Sequence, residues 1–234
     1  MDNLLLLIHR MPYPPNKGDK IRSYHLLRHL AQRYRVHLGT FIDDADDWRH
    51  VPVVEALCTS AHFAALDPRM ARIRSLGALL GNRSLSLDYY RDHKLTRWVS
   101  DTMRTRKIDR ILVFSSAMAQ YAQPYPAARR IVDFCDIDSD KWRQYAQKKR
   151  FPMSWLYGHE ARQLLRYERQ VAQECDAALF VSQPEAELFR TLAPESAAKT
   201  GFFNNGVDTI YFSPLPAQAS PYAAGIRPTR QAGL

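Results

Sequence analysis

Short apolar runs recur along this chain, and longer stretches with helical patterning separate them. Asn3–Ile8, Arg35–Ile42, Ala61–Leu66, Asp109–Phe114, Arg130–Phe134, Ala177–Val181 and Lys199–Phe203 read as strands. Several are continuously apolar, as buried strands with no wet face are. Lys20–Arg33, Trp48–Leu57, Pro68–Leu80, Arg91–Arg104, Ser154–Glu174 and Pro184–Leu192 read as helices. A helix of ten or more residues is long enough to return the chain for parallel pairing, so the alternation implies βαβ units. The expected architecture is α/β: a Rossmann-like, doubly wound, mostly parallel sheet with helices on both faces. Such sheets take ligands at the carboxyl ends of their strands. The loops after Ile8, Phe114, Phe134 and Val181, and the segment after Phe203, are therefore where function is expected.

Local chemistry refines this outline. Pro12, Pro14, Pro15 and Gly18 make Met11–Asp19 a loop. Asp19 is a candidate N-cap for the first helix, with Ile21, Tyr24, Leu27 and Ala31 on its inward face. Asp43, Asp44, Asp46 and Asp47 suit a helix start. Ala161, Leu164, Leu165, Val171 and Ala172 form the inward stripe of the long helix. Ser213–Leu234 holds four prolines and no apolar period, so the expected division is a domain over 1–212 and a linker or crossover over 213–234.

Composition bounds the function. Of 234 residues, 46% are hydrophobic, enough for a core. No apolar run approaches the roughly 18 residues of a bilayer span. Leu4–Ile8 is too short for a secretory signal and follows Asp2 rather than a basic segment, so the expected location is cytoplasmic. Cys58, Cys135 and Cys175 are few, distant and odd in number, and read as free thiols. The nine glycines lie no closer than four residues apart, which removes the dinucleotide and Walker loops. His25 and His29 lack the intervening glutamate of a zinc protease helix, no metal site is expected, and no serine nucleophile elbow occurs.

The net charge is +9, and it is unevenly spread. Residues 141–170 carry eight basic residues against Glu160 and Glu168. Such a stretch either attracts phosphate-bearing partners or is the wet face of a helix. Without a helix-turn-helix, RNP or basic-zipper pattern, nucleic acid is not an expected partner. An anionic membrane surface is.

Three stretches together resemble a known family. They are Met11-Pro-Tyr-Pro-Pro-Asn-Lys-Gly-Asp-Lys-Ile-Arg-Ser-Tyr24, Val132-Asp-Phe-Cys-Asp-Ile-Asp-Ser-Asp-Lys-Trp-Arg-Gln-Tyr145, and Phe180-Val-Ser-Gln-Pro-Glu-Ala-Glu-Leu-Phe189 followed by Asn204-Asn-Gly-Val-Asp-Thr-Ile-Tyr-Phe-Ser-Pro214. They resemble the N-terminal, acceptor-side domain of retaining GT-B glycosyltransferases of family four, nearest to the sugar transferases of PEP-CTERM/exosortase exopolysaccharide loci. The resemblance implies two Rossmann-like domains facing across a cleft, a sugar nucleotide as co-substrate, no metal and no other cofactor. The implied partners are a saccharide or lipid-linked acceptor and, for a peripheral protein, the inner membrane face.

On that reading the cleft is lined by Asn16, Lys17, Gly18, Asp19 and Lys20 after the first strand, Ser115 and Ser116 after the strand ending at Phe114, and Asp136 after the next. Ser182, Glu185, Asn205 and Gly206 complete the set. No catalytic residue is singled out. A Glu-x7-Glu pair belongs to the donor side of such enzymes. Here that spacing occurs as Glu160 with Glu168 and Glu187 with Glu195, in settings that mark both as coincidence. The resemblance continues through Ser220–Pro228 and stops at Thr229–Leu234, so the expectation is a chain without its donor domain, from a frameshifted or truncated gene, and inactive alone. Self-association through surface left bare is a further expectation. The alternative is a non-catalytic saccharide- or partner-binding module.

Overall fold

A computed structural model describes residues 1–207; the expected linker 213–234 lies outside the described residues. The chain forms two compact units, Met1–Asn204 and Asn205–Leu234, and only the first is described at length.

Among the described residues, seven strands form one all-parallel sheet: β1 Asp2–Ile8, β2 Tyr34–Ile42, β3 Ser60–Ala65, β4 Arg110–Phe114, β5 Arg129–Cys135, β6 Ala177–Phe180 and β7 Thr200–Phe202. Their order is β3-β2-β1-β4-β5-β6-β7, which reverses direction between β1 and β4. The expected doubly wound sheet is present.

Burial along β1 shows why both faces need cover. Leu5 and Leu7 join one core cluster, while Leu4, Leu6 and Ile8 join the other, as the two-residue period of a strand requires. The first face is covered by α5 (His93–Arg106), α7 (Met153–Glu174) and α8 (Gln183–Leu192), through Leu95, Val99, Val171, Ala172 and Phe189. The second is covered by α1 (Gly18–Ala31) and α2 (Val51–Glu55), through Leu27 and Val54. Towards β7 this second face is thinner: Leu112, Ile131 and Leu179 are only half-buried.

Several expectations needed correction. Helix α1 begins at Gly18, so Lys17 takes the cap position and Asp19 sits inside the first turn with its side chain elsewhere. Its buried residues are Lys20, Arg22, Ser23 and Leu27, and Ile21 is exposed. Trp48–Leu57 is a 3₁₀ turn over Ala45–His50 followed by the five residues of α2. Pro68–Leu80 is likewise α3 (Pro68–Ser75) running into a 3₁₀ turn, with Asp67 accepting from the backbone N–H groups of Arg69 and Met70. Two helices were not expected at all: α4 (Leu85–Tyr89) and α6 (Asp138–Lys148). Of the five residues in the long helix's predicted stripe, Leu165 is half-buried and the other four are buried.

The two unforeseen helices explain the buried acids of α7. Glu160 is fully buried and accepts from the Ser84 hydroxyl at 2.8 Å and from the N–H groups of Leu85 and Ser86 at 2.6 and 3.0 Å. It therefore caps α4 from another part of the chain. Glu168, also fully buried, accepts from the N–H and hydroxyl of Ser139 and caps α6 in the same way. Orphan N–H groups at a helix start need such partners. The Glu-x7-Glu spacing on α7 thus joins two helix starts to one scaffold.

Candidate functional site

The reversal between β1 and β4 places the residues after Ile8 beside those after Phe114, where doubly wound sheets hold ligands. His9 and Arg10 leave β1 there. The His9 ring stacks on Phe114 with centroids 5.9 Å apart and meets Tyr90 edge-on at the same distance. Its Nε2 lies 3.5 Å from Asp19. Its Nδ1 is buried and has no hydrogen-bond partner, which is costly unless a ligand supplies one.

Arg10 bridges two carboxylates, Asp19 at 3.1 Å and Asp43 at 2.9 Å, the latter just beyond β2. Asp19 is held well below the usual carboxylate range, chiefly by the hydrogen bond from His9, with Arg10 adding to it against the effect of burial. Burial pushes the Tyr90 hydroxyl well up, so it remains a neutral phenol. The result is an ordered polar cluster of His9, Arg10, Asp19 and Asp43 on an aromatic floor, with one imidazole nitrogen left to bind.

The ends of β4 and β5 adjoin it. Ser115 (φ 78°) and Cys135 (φ 65°) both adopt the left-handed region that non-glycine residues seldom enter. Backbone strain of this sort concentrates at ligand sites. The Ser115 N–H donates to the Asp133 carbonyl at 2.8 Å, and Ser115 and Ser116 are both buried. Beyond β5, Lys141 contacts Asp136 at 2.7 Å and Asp138 at 3.3 Å. Burial raises the Asp138 carboxyl, while Lys141 and then His9 oppose the rise.

The expected site residues divide accordingly. Asp19, Ser115, Ser116 and Asp136 lie at the carboxyl ends of β1, β4 and β5. Asn16, Lys17 and Gly18 are exposed at the start of α1, with open space where a Gly18 side chain would stand. Lys20 is buried and paired with Asp47 at 2.5 Å, a structural contact. Ser182 is the N-cap of α8, accepting from the Glu185 N–H, and Glu185 accepts from the Ile137 N–H at 3.1 Å. Asn205 and Gly206 are exposed in the second unit. Sequence reasoning missed His9 and Arg10, whose signal was their place immediately after the first strand. Among the described residues no group of three or more potential ligands could hold a metal ion, and all three cysteines are free. A separate cleft of about 370 Å³ lies between α6 and α7, between Arg143 and Arg162.

No known family model matches the chain, and no curated protein matches it in sequence. Solved structures do match. A sucrose-phosphate synthase from Thermosynechococcus elongatus superposes with a TM-score of 0.60 at 16% identity, over 93% of this chain and 53% of the synthase. TcCGT1 in complex with UDP gives 0.51 at 10% identity, over 88% and 50%. The fold is that of one Rossmann-like half of a GT-B structure. The N-terminal domain of Candida albicans trehalose-6-phosphate phosphatase also matches, at 0.51 and 13% identity, over 90% and 50%. This chain spans about half the length of each of these neighbours.

Proposed function

We propose that the chain is the acceptor-side half of a sugar-nucleotide-dependent glycosyltransferase, of the retaining family-four type, serving exopolysaccharide or glycolipid assembly of the PEP-CTERM/exosortase kind. The observation that carries this reading is the unpartnered, buried Nδ1 of His9 at the β1/β4 reversal. With Nε2–H turned to Asp19, the neutral ring leaves Nδ1 an acceptor, and a sugar hydroxyl can donate to it. Arg10 and Asp19 beside it offer a fixed donor and a fixed acceptor for neighbouring hydroxyls. The Tyr90 and Phe114 rings that flank the imidazole hold it in place. Asp136, Ser115 and Ser116 are assigned to the same cleft. The sugar nucleotide is gripped by a donor-side half, and the 234-residue chain transfers little or no sugar by itself. Work on a lipid-linked acceptor would place it peripherally on the cytoplasmic face of a membrane; no helix among the described residues is long and apolar enough to cross one.

The same unpartnered Nδ1 of His9 also suits a second reading, a saccharide- or partner-binding module without transfer. The test is to incubate the pure chain with a panel of saccharides and sugar nucleotides, following binding and transfer separately. Saccharide binding with negligible transfer supports the acceptor-side reading. Robust turnover of a sugar nucleotide by the pure chain overturns the half-enzyme proposal, and failure to bind any saccharide overturns the acceptor proposal.

A further inference from the structure

We propose that the tip joining α6 to α7 docks on an anionic lipid bilayer, with Phe151 and Trp155 entering the interface between headgroups and Lys148, Lys149 and Arg150 facing its phosphates. This deepens the membrane part of the reading above and is independent of sugar transfer.

The direction of the hairpin comes first. Helix α6 starts just beyond the carboxyl end of β5, and Ser139 in its first turn is held by Glu168 of α7. After Glu168 only six residues of α7 remain before the chain turns into β6. The fifteen residues 153–167 therefore run beside α6, antiparallel to it, before α7 reaches the sheet. From Ser139 to Lys148 a helix rises about 14 Å. The tip stands out by that order of distance on the carboxyl side of the sheet, the same side as His9.

The side chains at the tip are those of an interface. Phe151 is 82% exposed, Trp155 54%, Tyr145 51% and Met153 38%, an apolar group that solvent alone does not favour. Tryptophan and tyrosine favour the headgroup level, where a ring can be buried and its polar edge remain wet. The tyrosine is braced by rings: Trp142 lies 6.0 Å and Tyr157 6.4 Å from Tyr145.

The charge is just as local. Of the eight basic residues between 141 and 170, Lys141, Arg143 and Arg169 are paired with Asp136 and Asp138, Asp140 and Glu195. The only acids of that stretch, Glu160 and Glu168, are fully buried under helix starts. Lys148, Lys149 and Arg150 are exposed and carry no ion pair among the described residues. Three adjacent cations beside three or four exposed apolar side chains match a phosphate-bearing, apolar-cored surface in both respects. A neutral protein partner would leave the cations unmatched.

The experiment is flotation of the full 234-residue chain with vesicles of phosphatidylcholine alone and of phosphatidylcholine with 30 mol% (about one lipid in three) phosphatidylglycerol, at low salt. Binding is expected to the anionic vesicles and not to the neutral ones. Each cation near such a surface changes partition about fivefold, so Lys148→Gln/Lys149→Gln/Arg150→Gln is expected to weaken binding about a hundredfold. Phe151→Ser/Trp155→Ser is expected to weaken it at least tenfold without altering the far-ultraviolet spectrum, since both side chains are exposed. The proposal is overturned if the wild-type chain fails to float with anionic vesicles, or if either variant floats as wild type does. It is also overturned if the Phe151/Trp155 variant instead abolishes a dimer, which would make the tip a surface for a second copy. Saccharide binding by the same preparations separates a failure here from a failure of the acceptor-side reading.

Discussion

The guanidinium of Arg22 lies 2.9 Å from the carboxylate of Asp133 and 3.8 Å from the centre of the Phe203 ring, and also donates to the Phe203 carbonyl at 3.1 Å. One residue of α1 thus ties the fifth strand to the segment beyond the seventh. Asp133 is 1% exposed and Arg22 8%. Burial raises the Asp133 carboxyl, and the adjacent Arg22 charge opposes the rise. Removing Arg22 leaves the buried Asp133 carboxylate without its counter-ion, so Arg22→Met is expected to destabilise the fold by about 3–5 kcal/mol in urea unfolding. Arg22→Met combined with Asp133→Leu should recover most of that loss. If the double variant is as unstable as the sum of the single ones, the pairing account fails.

Stability should depend on Glu168 in a defined direction. Burial pushes this carboxyl up to about 8, with the Ser139 hydrogen bonds opposing and the raised Asp138 adding to the rise. The folded chain therefore holds a proton that the unfolded chain, with glutamates near 4.5, has released. The contribution is full below about pH 4.5 and is lost as pH rises to 8. Unfolding free energy should fall over that window by about 1 kcal/mol per pH unit from this group, and Glu168→Gln should flatten the profile. An unchanged slope in the variant would assign the pH response elsewhere.

Glu160 offers a local test. Glu160→Ala leaves the buried Ser84 hydroxyl and the half-buried backbone N–H groups of Leu85 and Ser86 without their acceptor. A cost of at least about 3 kcal/mol is expected, since each of the three unmet groups costs about 1–3 kcal/mol. Amide exchange should accelerate first over residues 84–89. Uniform acceleration across the sheet, with none localised there, would contradict a capping role.

The sheet was legible because its strands are apolar runs that only a doubly covered sheet can bury. The first helix was legible in extent but not in face. Its inward side carries Lys20 and Arg22, whose partners Asp47 and Asp133 stand 27 and 111 residues away, and no local period encodes such pairs. Helix α6 escaped notice because Asp138–Lys148 is mostly charged and amide side chains, and its start is secured by Glu168 from the next helix. The candidate site was half legible. Asp19, Ser115, Ser116 and Asp136 follow from strand ends, whereas His9 gains meaning only once β4 lies beside β1 and Asp19 turns back from the helix.

The most direct measurement is saturation-transfer NMR of saccharide binding to the 234-residue chain and to His9→Ala. Loss of the Nδ1 contact should weaken binding about tenfold, because a single hydrogen bond is worth about 1 kcal/mol, while the circular-dichroism spectrum remains that of the folded chain. Saccharide binding that His9→Ala weakens in this way is the result expected of an acceptor site at the β1/β4 reversal. Equal binding by the two proteins, or none by the wild type, would contradict it.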